Sequence, residues 1–125
     1  MNDKHRIEVT ARSEYLADKS DERRDHYVFA YTITIRNKGS ASAQLISRHW
    51  FITDAGSEVQ EVKGLGVVGA QPTLKPGEVF EYTSGAAIRT PVGTMRGVYH
   101  MVGEDGANFE APIPEFTLSV PRVLH

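Results

Sequence analysis

The chain has 125 residues, a net charge of −2 and no cysteine. A chain of this length is expected to form one domain with a single core, and the absence of cysteine excludes thiol catalysis, zinc–thiolate sites and iron–sulfur clusters. Lysine and arginine are scattered rather than clustered, which argues against nucleic acid as the main partner.

The predicted elements are strands, because apolar and polar residues alternate with period two along most of the chain. In chain order, the predicted strands are Ile7–Tyr15, Tyr27–Arg36, Ala43–Thr53, Glu58–Lys63, Val79–Thr83, Thr94–Val102, Asn108–Pro112 and Glu115–Val120. Between them, Ala17–Asp25 is predicted as a long polar loop. Ser84–Gly93 is predicted as an irregular segment, broken by Gly85 and Pro91.

Eight or nine short strands at roughly ten-residue spacing, with turn residues between them, predict an all-β fold. We expect two antiparallel sheets packed as an immunoglobulin-like sandwich that spans residues 1–125 as one domain. The side chains expected in its core are Phe29, Tyr31, Ile33, Trp50, Phe80, Tyr99 and Leu118.

The polar N-terminal segment, residues 1–6, is not followed by the apolar segment of a signal peptide. No apolar run approaches the roughly 20 residues that a membrane-spanning helix needs. We therefore expect a cytoplasmic protein with no membrane partner.

Residues 64–69 spell G-x-G-x-x-G, a run that in dinucleotide-binding folds follows a strand and opens a helix. Two prolines and a glycine follow within eight residues and exclude that helix. We interpret Gly64, Gly66 and Gly69 as glycines that shape a loop, at least one of them with positive φ. The alternative is an anion nest on this loop, which would bind phosphate, pyrophosphate or a dinucleotide.

Arg48 and Trp50 share one face of a predicted strand, and His49 points to the other face. Arg48 is interpreted either as a cation stacked on the indole or as a recognition patch, with neither favoured. The five histidines show no metal-binding spacing, so no metal and no cofactor are expected. His49 and His100 are the weak candidates for a metal-binding pair across two strands.

Signatures of catalysis are also lacking. The Thr83-Ser84-Gly85 segment does not form the G-x-S-x-G elbow of a serine hydrolase, and no carboxylate pair has an evidently apolar setting. We predict a non-enzymatic module that binds a protein through the glycine loop and the Ser84–Gly93 segment, with Arg89 as a contact residue. A small-phosphate binder and a direct divalent-metal binder are the alternatives.

Several blocks of the chain, in their order and spacing, are similar to the bacterial ApaG family. They are Gln44–Ala55, Gly64–Gly69, Leu74–Glu78, Phe80–Gly85, Thr90–Gly97 and Pro121–His125. The resemblance implies a fibronectin type III-like sandwich in a small cytoplasmic protein, linked genetically to cobalt resistance and magnesium balance. Related domains in eukaryotic F-box proteins and in a polymerase-delta-interacting protein resemble interaction modules. The resemblance supplies no catalytic residues.

Overall fold

The structure, a computed structural model, describes residues 4–121. Its strands in chain order are β1 (Ile7–Tyr15), β2 (Tyr27–Asn37), β3 (Ala43–Asp54), β4 (Val59–Leu65), β5 (Thr73–Leu74), β6 (Val79–Ile88), β7 (Val92–Gly103) and β8 (Asn108–Ser119). Two single-turn 3₁₀ helices, Ala17–Lys19 and Glu22–Arg24, lie in the predicted loop after β1. Within residues 4–121, no helix has the length and apolar character needed to cross a membrane.

The strands form two antiparallel sheets, which confirms the predicted all-β sandwich. One sheet has the order β1-β2-β6, and the other has the order β4-β3-β7-β8 with β5 paired to β3. Edge strands β1 and β8 meet at one flank, where the Ser13 hydroxyl donates to the Thr117 carbonyl at 2.7 Å. The opposite flank is formed by the edges of β4 and β6, and we call it the open flank. The Gln60 side-chain amide spans it and donates to the Ala87 carbonyl at 3.2 Å.

The core lies between the sheets and contains most of the residues expected there. The expected residues that are buried are Phe29, Tyr31, Ile33, Trp50, Tyr99 and Leu118. Phe80 is only half-buried and packs against this cluster, because it lies near the beginning of edge strand β6. The hydroxyls of Tyr82 and Tyr99 join the two sheets through a 2.5 Å hydrogen bond.

Strand β3 changes face at a β-bulge that the alternation pattern did not reveal. Strict alternation places Leu45 on the face opposite Trp50, yet both side chains are buried. The register of β3 against β7 shifts between Leu45 and Ser47. A bulge adds one residue on one strand and so returns both apolar side chains to the core.

The prediction of an irregular Ser84–Gly93 segment is wrong. Strand β6 continues to Ile88, with Gly85 opposite Ala30 of β2. Its second half is rich in small residues, so it lacks the bulky alternation by which strands are recognised. Hydrogen bonding to the strongly patterned β2 holds it extended, and only residues 89–91 connect β6 to β7.

The two strands predicted at Asn108–Pro112 and Glu115–Val120 are one continuous strand, β8. Pro112 and Pro114 are tolerated because β8 is an edge strand, where a missing N–H can face away from the ladder. The register against β7 also shifts in this region.

Candidate functional site

The glycine run closes a two-residue hairpin turn after β4. Val67 and Ala70 exchange backbone hydrogen bonds of 2.8 and 2.9 Å. Between them, Val68 has φ 44° and Gly69 has φ 79°, the left-handed pair that a type I′ turn requires. Gly66 also has a positive φ, 63°. The prediction that at least one glycine of the run has positive φ is therefore confirmed.

The run does not have the form of a dinucleotide-binding loop. The next element is strand β5 and not a helix, and the Gly66 N–H donates to the Ile46 carbonyl at 2.8 Å. The Val67 N–H is engaged within the hairpin as well. A phosphate nest needs successive amides that point at one ligand, and in residues 66–70 three of the amides are bonded within the chain.

Arg48 binds the base of this hairpin from inside the sandwich. Its guanidinium donates to the carbonyls of Leu65 at 3.0 Å and Gly66 at 2.9 Å. It also lies over Gly64, where an added Cβ would be 2.8 Å from the guanidinium nitrogens. The guanidinium therefore fastens β4 to β3, rather than stacking on the Trp50 indole.

His49 and His100, the weak candidates for a metal-binding pair, line the same depression but are not directly opposed across β3 and β7. The β3–β7 register places Val98 opposite His49 and Ser47 opposite His100. Each histidine faces its own carboxylate instead: His49 Nε2 lies 2.7 Å from Glu61, and His100 Nδ1 lies 3.4 Å from a carboxylate of β8. Residues 4–121 contain no group of three histidine, aspartate or glutamate side chains placed to hold a metal ion.

Arg89 lies at the other end of β3, between two depressions on the open flank. One, of about 600 Å³, is lined by Ile52, Asp54, Glu58, Val59, Gln60 and Arg89. The other, of about 460 Å³, is lined by Arg24, Asp25, His26, Gln60, Ala87, Ile88 and Arg89. Both include Arg89 and Gln60, so the two depressions adjoin along the gap between β4 and β6.

Short polar contacts hold the chain beside the first depression, which Asp54 and Glu58 line. The Thr90 hydroxyl donates to the Val92 carbonyl at 2.8 Å and accepts from the Ala55 N–H at 2.9 Å. The Asp54 carboxylate accepts from the N–H groups of Gly56 and Glu58. Arg89 itself is exposed and has no ion pair within the described part of the chain. Within residues 4–121 its charge is therefore not neutralised by an ion pair, while the carboxylates of Asp54 and Glu58 line the same depression.

The structure separates the glycine hairpin from Arg89. The hairpin is hydrogen-bonded to Ile46, near the start of β3. Thr90, the residue after Arg89, is hydrogen-bonded to Ala55, directly after the end of β3. Ile46 and Asp54, the last residue of β3, are eight residues apart along the strand, which corresponds to roughly 25 Å. The glycine loop and the Ser84–Gly93 segment, predicted to form one binding surface, therefore lie at two separate places.

The hydroxyl groups of the described residues have no partner or pKa that would make them reactive at neutral pH. In residues 4–121, no serine or threonine hydroxyl is hydrogen-bonded to a histidine. Burial raises the pKa of Tyr82 and Tyr99 far above the usual range, so both phenols stay neutral. Neither supplies a base at neutral pH.

Sequence reasoning missed the residues that accompany Arg89. Gln60, Arg24 and His26 are far from it in the chain and carry no motif. They meet because Tyr27 pairs with Ile88, which brings the loop before β2 to the end of β6. Only the strand register could have revealed this neighbourhood.

Comparison with known proteins places the chain in a family. The family model of the ApaG domain matches residues 17–103. A relative from Thiobacillus denitrificans, named Protein ApaG, is 66% identical over 98% of this chain and 96% of its own length. One from Nitrosospira multiformis, of the same name, is 63% identical over the same shares. A crystal structure of an ApaA protein from Bordetella pertussis superposes with a TM-score of 0.92 at 57% identity, covering 95% of this chain and 97% of that one. The chain therefore belongs to the ApaG family.

Proposed function

We propose that this protein is a non-catalytic module that acts by binding another protein, and that the depressions around Arg89 are its contact surface. The observation that carries the proposal is the exposed Arg89, without an ion pair in residues 4–121, between two adjoining depressions on a rigid sheet flank. Arginine is over-represented among the residues that dominate protein interfaces. A partner segment with a carboxylate could pair with Arg89 while its backbone lies along the gap between β4 and β6.

The physical form of the surface supports a protein ligand over a small one. The two depressions adjoin along two edge strands and are lined mostly by charged and polar residues, whereas small-molecule sites are mostly apolar and enclose most of the ligand. Supporting residues come from the loop before β2, from β3, from β4 and from β6, so a partner would touch four segments at once. The proposed partner is cytoplasmic. The connection to cobalt resistance and magnesium balance would then be indirect and mediated by that partner.

The test is capture of partner proteins from a cytoplasmic extract by the immobilised chain, with quantitative mass spectrometry of what is bound. Arg89→Ala should lower capture of the specific partner by at least about tenfold, the effect of losing an interface hot spot. Arg12→Ala is the matched control, because Arg12 is an exposed arginine on edge strand β1, away from the open flank. Both variants should melt at the same temperature as the unmodified chain.

Two results would contradict the proposal. One is that every captured protein binds the Arg89→Ala and Arg12→Ala variants equally. The other is stoichiometric, micromolar binding of pyrophosphate, a diadenosine nucleotide or cobalt in titration calorimetry, abolished by a change at Gly66 or His49. The latter would favour the small-phosphate or the metal alternative.

A further inference from the structure

Strand β4 has a free edge that is protected neither by proline nor by a bulge. All residues of β4 except Gly64 are exposed, and β3 is its only partner strand in the described sheet. Val59 is 56% exposed and Leu65 is 75% exposed. Strand edges are commonly protected by proline, bulges or charged side chains, and β8 carries two prolines. Residues 59–65 contain no proline, and no bulge interrupts their register with β3. Their two charged residues, Glu61 and Lys63, have opposite signs.

The hydrogen-bond parity of β4 shows which backbone groups face outward. The Gly66 N–H donates to the Ile46 carbonyl, and the Asp54 N–H donates to the Glu58 carbonyl. Hydrogen-bonded pairs alternate along an antiparallel ladder, so residues 58, 60, 62, 64 and 66 direct their N–H and C=O groups at β3. Residues 59, 61, 63 and 65 therefore direct theirs away from the sheet, toward the free edge.

These four outward-facing residues are complementary to a second copy of themselves. With a two-fold axis at Val62, Val59 lies opposite Leu65 of the second copy, and Glu61 lies opposite Lys63. Each opposed pair has outward backbone groups on both sides, as a hydrogen-bonded antiparallel pair requires. Apolar residues meet apolar residues, and opposite charges meet twice, a pairing that stabilises adjacent strands.

The neighbouring registers are unfavourable. An axis at residue 61 sets Glu61 opposite its own copy, and an axis at residue 63 does the same for Lys63. Like charges directly opposite each other destabilise a strand pair. An axis midway between two residues places a residue whose N–H and C=O face the free edge opposite one whose N–H and C=O face β3. Such pairs cannot exchange hydrogen bonds, so no ladder forms. The charges thus select the axis at Val62, whose side chain is 37% exposed on the inner face of the sheet.

We propose that two copies of this chain associate through antiparallel pairing of β4 with β4, with the two-fold axis at Val62. The β4-containing sheets of the two copies join into one continuous sheet. Leu65 O can accept the new hydrogen bond while it accepts from Arg48, because a carbonyl has two lone pairs. A single seven-residue edge is a small interface, in the class below about 1,200 Å². The dimer is therefore expected to dissociate on dilution. This inference does not depend on the function proposed above.

Sedimentation equilibrium over a concentration series tests the pairing. The mass should rise from the 13.8 kDa of one chain toward twice that value as concentration increases. Glu61→Lys and Lys63→Glu each set like charges opposite each other twice, so each should raise the dissociation constant at least about tenfold. An equimolar mixture of the two variants restores both opposite-charge pairs, so it should associate as the unmodified chain does. Lys75→Glu, an exposed charge reversal in a turn outside β4, should associate normally.

A cysteine test reads the register directly, because the chain has no cysteine of its own. In the proposed dimer, the two copies of Val62 are a directly opposed, non-hydrogen-bonded pair, with Cα atoms about 4.5 Å apart. Disulfides accept Cα separations of about 4.4–6.8 Å. Val62→Cys should therefore form a covalent dimer on mild oxidation. Val59→Cys should not, since its two copies lie six residues apart along the pair.

A chain that stays monomeric at all concentrations overturns the proposal. So does a mixture of the two charge variants that fails to associate while both variants are folded by circular dichroism. If either charge variant does not fold, the cysteine pair decides alone: cross-linking at position 59 equal to that at position 62 overturns the register. Association that persists in both charge variants assigns the contact to another surface and is equally contrary.

Discussion

The three glycines of the G-x-G-x-x-G run have different structural roles, and alanine substitutions should separate them. Gly69 has φ 79° with no heavy atom within 4 Å of an added Cβ, so Gly69→Ala introduces only backbone strain, about 1 kcal/mol. At Gly66, φ is 63° and the added Cβ would overlap the Ala70 carbonyl oxygen. That contact is impossible, so Ala70 must move.

Movement of Ala70 breaks the two hydrogen bonds that it exchanges with Val67, each worth about 0.5–1.5 kcal/mol net. With the backbone strain added, Gly66→Ala should cost about 2–4 kcal/mol. Unfolding entropy is about 2.1 cal/mol/K per residue, so for 125 residues each 1 kcal/mol lowers the melting temperature by about 4 °C. We expect a loss of about 4 °C for Gly69→Ala and of about 8–16 °C for Gly66→Ala, measured by calorimetry.

Gly64→Ala acts through a side chain and not through the backbone. Its Cβ would displace the Arg48 guanidinium from the carbonyls of Leu65 and Gly66. In a chain that already carries Arg48→Ala, Gly64→Ala should lower the melting temperature little further, because both substitutions act on one contact. Melting temperatures of Gly66→Ala and Gly69→Ala that differ by less than about 2 °C would refute the steric reasoning.

Three further predictions concern the core and the ionisable groups. Phe29→Ala should lower the free energy of unfolding, measured in urea, by about 3–5 kcal/mol, because Phe29 is fully buried. A decrease below about 1 kcal/mol would contradict its place in the core. Burial raises the pKa of Tyr82 and Tyr99. Their contribution to the free energy of unfolding is therefore complete below about pH 10, and it falls by about 1.4 kcal/mol per pH unit for each phenol as the pH rises further. Tyr82→Phe should make this alkaline loss less steep; an unchanged slope would refute the assignment. The hydrogen bond from Lys4 lowers the pKa of Asp105, so Asp105→Asn should be less stable than the unmodified chain at pH 7, and the difference should shrink as the pH falls below about 3.9. Parallel stability curves for the two proteins across that range would show that the contact contributes nothing.

The strands were predictable from the sequence because the core demands alternation. In β2, Phe29, Tyr31 and Ile33 face one side and pack against the second sheet, so their spacing is fixed by the fold itself. The hairpin at the glycine run was partly predictable for the same kind of reason. Positive φ is a local requirement that glycine meets at low cost, and it is found at Gly66 and Gly69.

What the sequence could not reveal is set by partners distant in the chain. Pro112 and Pro114 interrupt a strand pattern locally, but the edge position of β8 tolerates them. Gly85 reads as a breaker, although β2 holds it in a strand. For Arg48, the sequence pattern suggests only Trp50 or solvent as its surroundings. Its actual partners are carbonyls 17 and 18 residues further along the chain.

The two proposed contacts share the open flank, and this makes them testable against each other. Val59 lines the depression beside Arg89 and also lies at one end of the β4 edge that is proposed to pair with a second copy. A self-paired chain covers that end of the depression, so capture of a partner should fall as the chain concentration rises. Glu61→Lys removes self-pairing without touching Arg89, and with this variant capture should be independent of concentration. Arg89→Ala should leave self-association unchanged, because Arg89 lies outside β4. Capture that is equally insensitive to concentration for the unmodified chain and for Glu61→Lys would mean that the two contacts do not overlap.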